Sequence, residues 1–307
     1  MSGIWSWIIE PGFFSTQTVQ VAALAGGVVA FTSGNVGLFT VMRRQSFAGE
    51  ALGDVGVTGG SGAFLVSINP LWGFVGAALA AAGVIETIGT RRAQSRDLAT
   101  GVVLGAALGF AALFLYFDTT HSSTTGASIT VLFGSLFVID TSIVPTIIAL
   151  SAGALALLVL LYRPLLLSTL SPDLAQARGV RVRLIGACQL LTMAIAVSLS
   201  AITIGAVLST ALLVGPPATA LRLVKRPGLA ALLGGGIGIL ATWLGILLAY
   251  DSYYWPPVEH GWPVSFFVVA LVFVFYLLAS GLSAGRRRRR TTSHAGPALR
   301  VADGRGV

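Results

Sequence analysis

Charge is what this sequence has least of. Asp, Glu, Lys and Arg together make up 10% of its 307 residues, against about 25% in a typical soluble domain. Hydrophobic residues account for 55%, and the mean hydropathy is +0.88. A chain with so few polar side chains cannot cover its apolar surface by folding on itself in water. Cysteine is nearly absent as well. Cys188 is the only one, so an intrachain disulfide and a cysteine metal cluster are both excluded. It lies in an apolar run and reads as a small packing residue. No Lys or Arg precedes Arg43, so the basic start of a secretory signal is missing. Walker A, G-x-S-x-G, H-E-x-x-H and C-x-x-C patterns are absent too. The chain therefore supplies no ATP site and no recognised catalytic constellation.

What is present is a series of apolar runs, at about 18–41, 52–70, 71–89, 98–117, 142–162, 184–204, 206–221, 229–250 and 263–282. Each is near the ~20 residues needed to cross a bilayer as a helix. The expected fold class is an all-α integral membrane protein, a polytopic helical bundle of about eight or nine transmembrane helices. The 38 glycines suit this class, because small residues let membrane helices approach closely. The second run is Gly- and Ser-rich and the seventh carries Pro216 and Pro217, which makes both weak spans. The stretch ITVLFGSLFVI (129–139) is apolar but too short to cross, and reads as re-entrant or interfacial. Residues 1–17, with Trp5, Trp7, Phe13 and Phe14, read as an interfacial segment. The transmembrane core is expected over 18–282. Residues 283–307, which contain Arg286 to Arg290, are expected to form a basic, disordered cytoplasmic tail.

The net charge of +8 does not indicate nucleic acid, because of where the charge sits. With nine spans and the five-Arg run inside, segments 42–51, 90–97, 163–183, 222–228 and 283–307 are all cytoplasmic. Together they hold all 19 Lys and Arg residues. The opposite loops carry Glu10, Asp118, His121, Asp140, Asp251, Glu259 and His260, with no Lys or Arg. This is the positive-inside pattern, and it places the N-terminus outside and the C-terminus in the cytoplasm.

Few side chains in such a chain can carry chemistry. Glu50 and Asp54 stand four residues apart between a basic pair, Arg43 and Arg44, and a Gly-rich run. On a helix that spacing puts them on one face. Carboxylates at membrane depth need a proton, a basic partner or a cation to offset a cost of about 2.5–3.5 kcal/mol each. Their oxygens suit a divalent metal ion. The plainer reading is a solvated ion pair at the interface, with Asp54 capping a turn. Glu86, near Arg91 and Arg92, reads as an interfacial ion pair or a polar group on an exit path. The outer stretch DSYYWPPVEHGWP (251–263) is an aromatic belt in which Glu259 and His260 could meet a cation or a docking partner. In the inner loop 163–183, Ser171 can cap a helix, Pro172 suits its first turn and Gly179 stops it. The result is a helix of about two turns, SPDLAQARG, with Asp173 in its first turn and Leu174 and Ala175 available to pack. It is either a plain surface helix or a grip for a cytoplasmic motor.

Several stretches together resemble one family. VMRRQSFAGEALGDVGVTGGSGAF, DLATGVVLGAALGFAALFL, VLFGSLFVI, LSPDLAQARGVRVRL and ITIGAVLSTALLVGPPATALRL follow in the order of blocks in the permease subunits of bacterial ABC importers for zinc, manganese or iron. The resemblance covers roughly residues 13–282. It implies two copies of the chain around a central path in the bacterial plasma membrane, with no permanently bound cofactor. It also implies separate ATP-binding cassettes docked at SPDLAQARG as coupling helix, and an extracytoplasmic metal-binding protein. Glu50 and Asp54 would fall on the metal path. One departure is that Asp54 stands where the family has His, and Val57-Thr58-Gly59 where it has Leu-Pro-Gly. This makes the site harder and more anionic and leaves the ion unnamed. The competing functional readings are a proton-coupled secondary carrier, an ABC permease for a metal-chelate or vitamin, and a non-transporting scaffold.

Overall fold

The computed structural model describes residues 16–88, 93–121, 131–134, 136–253 and 261–294. Among these residues the fold is entirely helical. α1 (Gln17–Met42), α2 (Ser46–Leu65), α3 (Pro70–Ile88) and α4 (Ala93–His121) form the first half, and a short 3-10 turn follows at Leu136–Val138. α5 (Val144–Leu170), the short α6 (Pro172–Ala177), α7 (Val182–Ile204), α8 (Ala206–Leu223), α9 (Pro227–Ser252) and α10 (Val264–His294) complete it. Eight of these helices are long and apolar enough to cross a membrane; α2 and α6 are the exceptions. α2 has 20 residues, about 30 Å at the α-helical rise, so it has the length of a span without the apolarity.

Several expected boundaries move. The second run was placed at 52–70, but its helix covers Ser46–Leu65 and ends in a turn with Ser67 at φ 57°. Asp54 is therefore mid-helix rather than a turn cap, and the Gly-rich run is helical. α5 continues through Pro164 to Leu170, so Arg163 belongs to a helix and not to a loop. α8 runs unbroken through Pro216 and Pro217. α10 extends to His294, so residues 283–294 are helical where a disordered tail was expected. Residues 1–15, 295–307 and the Glu259–His260 pair lie outside the described residues.

Packing explains why a glycine-rich segment stays helical. Glycine costs about 1 kcal/mol relative to alanine in a helix, but here it permits backbone contact. A Cβ on Gly59 would overlap the Gly73 carbonyl of α3, and one on Gly73 would overlap the Gly59 carbonyl. Gly56 and Gly60 sit on the Phe74 ring, and Gly49 and Gly53 face Leu213 of α8 and Val197 of α7. At 100° per residue these glycines share one face of α2. α1 uses the same device, with Gly34 against the Gly234 backbone of α9 and Gly37 against the Leu213 carbonyl of α8. Pro217 lacks the amide that would bond that carbonyl within α8, so the carbonyl is free to lie against Gly37.

Polar ties complete the α1–α7 contact. Ser33 and Ser200 share a hydrogen bond of 2.7 Å, Thr40 donates to Met193 Sδ at 3.3 Å, and Gln189 Nε2 donates to the Val36 carbonyl at 3.4 Å. The 131–138 stretch does not cross the bundle. Its Val131 and Leu136 are buried, and Gly134 (φ 80°) backs directly onto Gly205 (φ 104°) at the α7–α8 junction. Both glycines are required there, since each adopts positive φ and neither has room for a Cβ.

The two ends of the bundle differ. One end gathers the α1–α2 turn with Arg43 and Arg44, the ends of α3 and α5, and α6 with the start of α7. The other gathers the 133–137 stretch, Tyr250 and Tyr253 of α9, and Trp262 before α10, around a cavity of about 470 Å3.

α3 allows a paired test of the glycine contact. Gly73→Ala is expected to destabilise the purified protein by about 1–3 kcal/mol, the usual cost of overpacking. Gly76→Ala has open space around it and should leave thermal unfolding in detergent unchanged or slightly raised.

Candidate functional site

The site begins with α2. Because its glycines turn toward α3, α7 and α8, the opposite face carries Phe47, Glu50, Asp54 and Thr58. Glu50 is exposed and Asp54 half-buried. From the start of α2 they lie about 6 and 12 Å along the helix axis. Both carboxylates thus belong to a helix of the bundle and not to a loop beside it. Thr58, one turn further on, donates to the Ala107 carbonyl of α4 at 2.7 Å, which closes this face of α2 at its far end.

Glu50 opens into a groove of about 440 Å3 between α2, α8 and α10. The groove is mostly apolar, lined by Phe47, Val214, Val272 and Phe273, with the hydroxyls of Ser46 and Thr210 as further oxygen donors. Tyr276 closes one side. Its hydroxyl accepts a 2.7 Å hydrogen bond from Arg222 Nη2, and the Arg222 guanidinium also stands 5.0 Å from the ring centroid. Arg222 and Tyr276 are 54 residues apart in sequence, and nothing in either segment signals the pairing. Among the described residues, no group of three or more His, Cys, Asp or Glu side chains could hold a metal ion. Asp54 stands one turn further along α2 and does not line this groove, so among the described residues one copy of the chain offers it one carboxylate and scattered hydroxyls, fewer ligands than a hard divalent cation takes.

The other candidates fall elsewhere. Glu86 is half-buried at the end of α3, in a cleft with Arg43, Arg44 and Arg183, and does not line the Glu50 groove. Glu259 and His260 are outside the described residues. Pro172–Ala177 forms the expected helix, one turn shorter than the 171–179 stretch. Ser171 occupies the N-cap position, but its side chain makes no capping hydrogen bond. Asp173 lies in the first turn, where a carboxylate complements the helix dipole. Gly179 ends the helix at φ 77°, with the Val180 amide bonded to the Ala175 carbonyl at 3.0 Å. The two apolar residues separate sharply. Ala175 is fully buried, while Leu174 is 58% exposed.

Comparisons with known proteins bear on the chain as a whole. The manganese import system permease protein ScaB of Streptococcus pneumoniae is 31% identical over 244 residues, covering 78% of this chain and 83% of that protein. The manganese transport system membrane protein MntD of Bacillus subtilis is 30% identical over 247 residues, covering 73% and 83%. Among solved structures, PsaBC from Streptococcus pneumoniae in complex with Fab contains a chain of the same fold. It superposes with a TM-score of 0.72 at 22% identity, covering 87% of this chain and 92% of that one. The model of the ABC 3 transport family matches residues 15–280. The match takes in all nine membrane-length helices but the end of α10, and the chain belongs to the ABC 3 transport family.

Proposed function

We propose that the chain is the membrane-spanning permease subunit of an ATP-driven importer, and that it carries a divalent metal ion, manganese first, with zinc and iron as weaker candidates. The observation that carries this reading is the Glu50–Asp54 pair. Two carboxylates one turn apart stand on the face of α2 turned away from its glycine contacts, Glu50 exposed and Asp54 half-buried, on a helix with the length of a span. A charge carried on such a helix is costly without a proton, a basic partner or a cation to offset it. The manganese named for the two relatives points the same way. So does the ligand chemistry, since carboxylate oxygens suit Mn2+ and an Asp in place of the family's His removes the nitrogen ligand that would suit Zn2+.

A second copy of the chain supplies what one copy lacks. Two α2 faces brought together across a two-fold axis would present four carboxylates to a shared path, with the Glu50 groove covered by the partner. In this reading the ion is transported substrate and not a resident cofactor. The path must also release what it binds, so the sites hold it weakly. The exposed Leu174 on α6 is the contact through which a separate ATP-binding cassette moves the bundle, and an extracytoplasmic metal-binding protein delivers the ion to the aromatic end. The 19 Lys and Arg set the orientation, with the basic end and the C-terminus in the cytoplasm and the N-terminus outside.

Reconstitution of the chain with its ATPase and binding protein in vesicles should give ATP-dependent 54Mn uptake. Asp54→Asn or Glu50→Gln should lower it by at least the roughly tenfold that loss of a metal's outer-shell partner costs. Uptake driven by a pH gradient without ATP, or preference for a chelate or vitamin over the free ion, would overturn the reading. Asp54→His should raise zinc uptake relative to manganese in the same vesicles, measured as a ratio so that changes in protein amount cancel. Leu174→Asp should abolish co-purification of the ATPase while shifting stability by no more than about 0.5 kcal/mol, as expected for an exposed position. If the ATPase still binds and transport persists, α6 is not the contact.

A further inference from the structure

At the basic end of the bundle the helices leave a cleft of about 510 Å3. It is separate from the Glu50 groove, and its character is the opposite. Three guanidinium-bearing residues line it from two directions, Arg43 and Arg44 from the α1–α2 turn and Arg183 from the first turn of α7. Among the described residues, Glu86 is the single carboxylate in the lining. Arg178 and Arg181, at the end of α6 and the N-cap of α7, add positive charge just outside it.

Two further features make this more than a surface with positive charge. The start of α7, a helix of 23 residues, opens here through Val182, Arg183 and Gly186, and Arg181 at its N-cap makes no side-chain cap. Uncapped amides and the positive end of the helix dipole favour an anion. Hydroxyl and amide groups stand opposite, from Ser168 and Thr169 of α5 and from Gln45 and Gln176. Arg43 Nη2 donates to Ser168 Oγ at 3.3 Å, which holds one guanidinium against the α5 wall. Arg44 occupies a left-handed conformation, φ 56°, unusual for a residue with a side chain. The turn is therefore held in a form that places both arginines at the cleft.

We propose that this cleft binds a phosphate group. Guanidinium forks match tetrahedral oxyanions bidentately. Donors arriving from α5, α7 and the α1–α2 turn can satisfy several oxygens at once, which a planar carboxylate or a chloride does not offer. The cleft is large enough for the group carrying the phosphate. Its source is either the headgroup of an anionic phospholipid of the adjoining leaflet or a free phosphate compound in solution. Because Pro172 and Gln176 of α6 form part of the wall, an occupied cleft would tie α6 to the ends of α1 and α5 and the start of α7. The assignment does not depend on which ion the chain carries.

The test uses the full chain in nanodiscs. In phosphatidylcholine discs, inorganic phosphate is titrated and thermal unfolding is followed. In parallel, discs with one fifth phosphatidylglycerol are stripped with detergent, and retained lipid is read by native mass spectrometry. The phosphate site predicts a ligand-dependent signal in at least one arm that falls about tenfold or more in Arg44→Gln/Arg183→Gln, in line with the loss of a charge-assisted bond. The unliganded unfolding temperature should be unchanged. Retained phosphatidylglycerol without a phosphate response identifies the lipid source. A phosphate response without lipid retention identifies the free compound. Should the double variant fail to fold, Arg44→Lys keeps the charge but loses the fork and should weaken binding by a smaller factor. No response in either arm, or equal responses in wild type and variants, overturns the proposal.

Discussion

Close backbone contact at glycine is the constraint on which this bundle depends. In a bilayer, lipid tails solvate apolar side chains as well as other helices do, so helices associate through tight packing and not through exclusion of water. The Gly59–Gly73 crossing, the Gly34–Gly234 crossing and the seat of Gly37 on the Leu213 carbonyl each remove side chains from the contact. They lock α2 to α3, α1 to α9 and α1 to α8. The same contacts orient α2. A helix that spends one face on glycine-mediated packing has only the other face for anything else. That face carries Glu50 and Asp54, so the candidate ion ligands and the packing spine are two sides of one helix.

Charge divides the molecule along its axis in a second, independent way. Arginines collect where α1, α3 and α5 end and α7 begins, and aromatic side chains collect at the opposite end. Between them the described helices carry little charge, the α2 carboxylates and the buried Asp118 of α4 being among the exceptions. The basic end also carries α6, with Ala175 anchored inside and Leu174 directed out. One short helix thus joins the bundle through one residue and leaves the next exposed. The arginine-lined cleft behind α6 and the exposed leucine before it put two distinct surfaces on the same element, one facing the bundle and one facing away.

Much of this was legible in the residues. Hydropathy placed five of the nine membrane-length helices to within two residues at both ends, because burial in lipid demands an apolar run of fixed length, while α2, α4, α5 and α10 each differ by four residues or more at one end or both. The basic residues of the α1–α2 turn and of the α6 region fell at one end as their placement between spans implied. Ser171, Pro172 and Gly179 marked α6, since cap, first turn and left-handed stop each need a particular residue. The misreadings are specific. The start of α2 was put six residues late, because SFAGEALGDVG looks like a polar entry and a loop. The Pro216–Pro217 step looked like a break but is continuous helix. Residues 283–294 looked like an unstructured tail but continue α10. In each case local propensity gave way to a partner or to an adjoining helix that no sequence window contains.

By itself, then, the sequence determined the class of the molecule, its eight or nine membrane-length helices, the end at which its cations gather and the two carboxylates that stand as candidates. These follow from transfer energies of single residues and short runs, which are local properties. Only the tertiary structure decided which face of α2 is open, that Glu50 and Glu86 belong to different cavities, that Arg222 reaches Tyr276, and that arginines from two separate segments line one cleft. Those facts depend on contacts between residues as far as 220 positions apart, such as Ala23 with Trp243. They exist only once the helices have met.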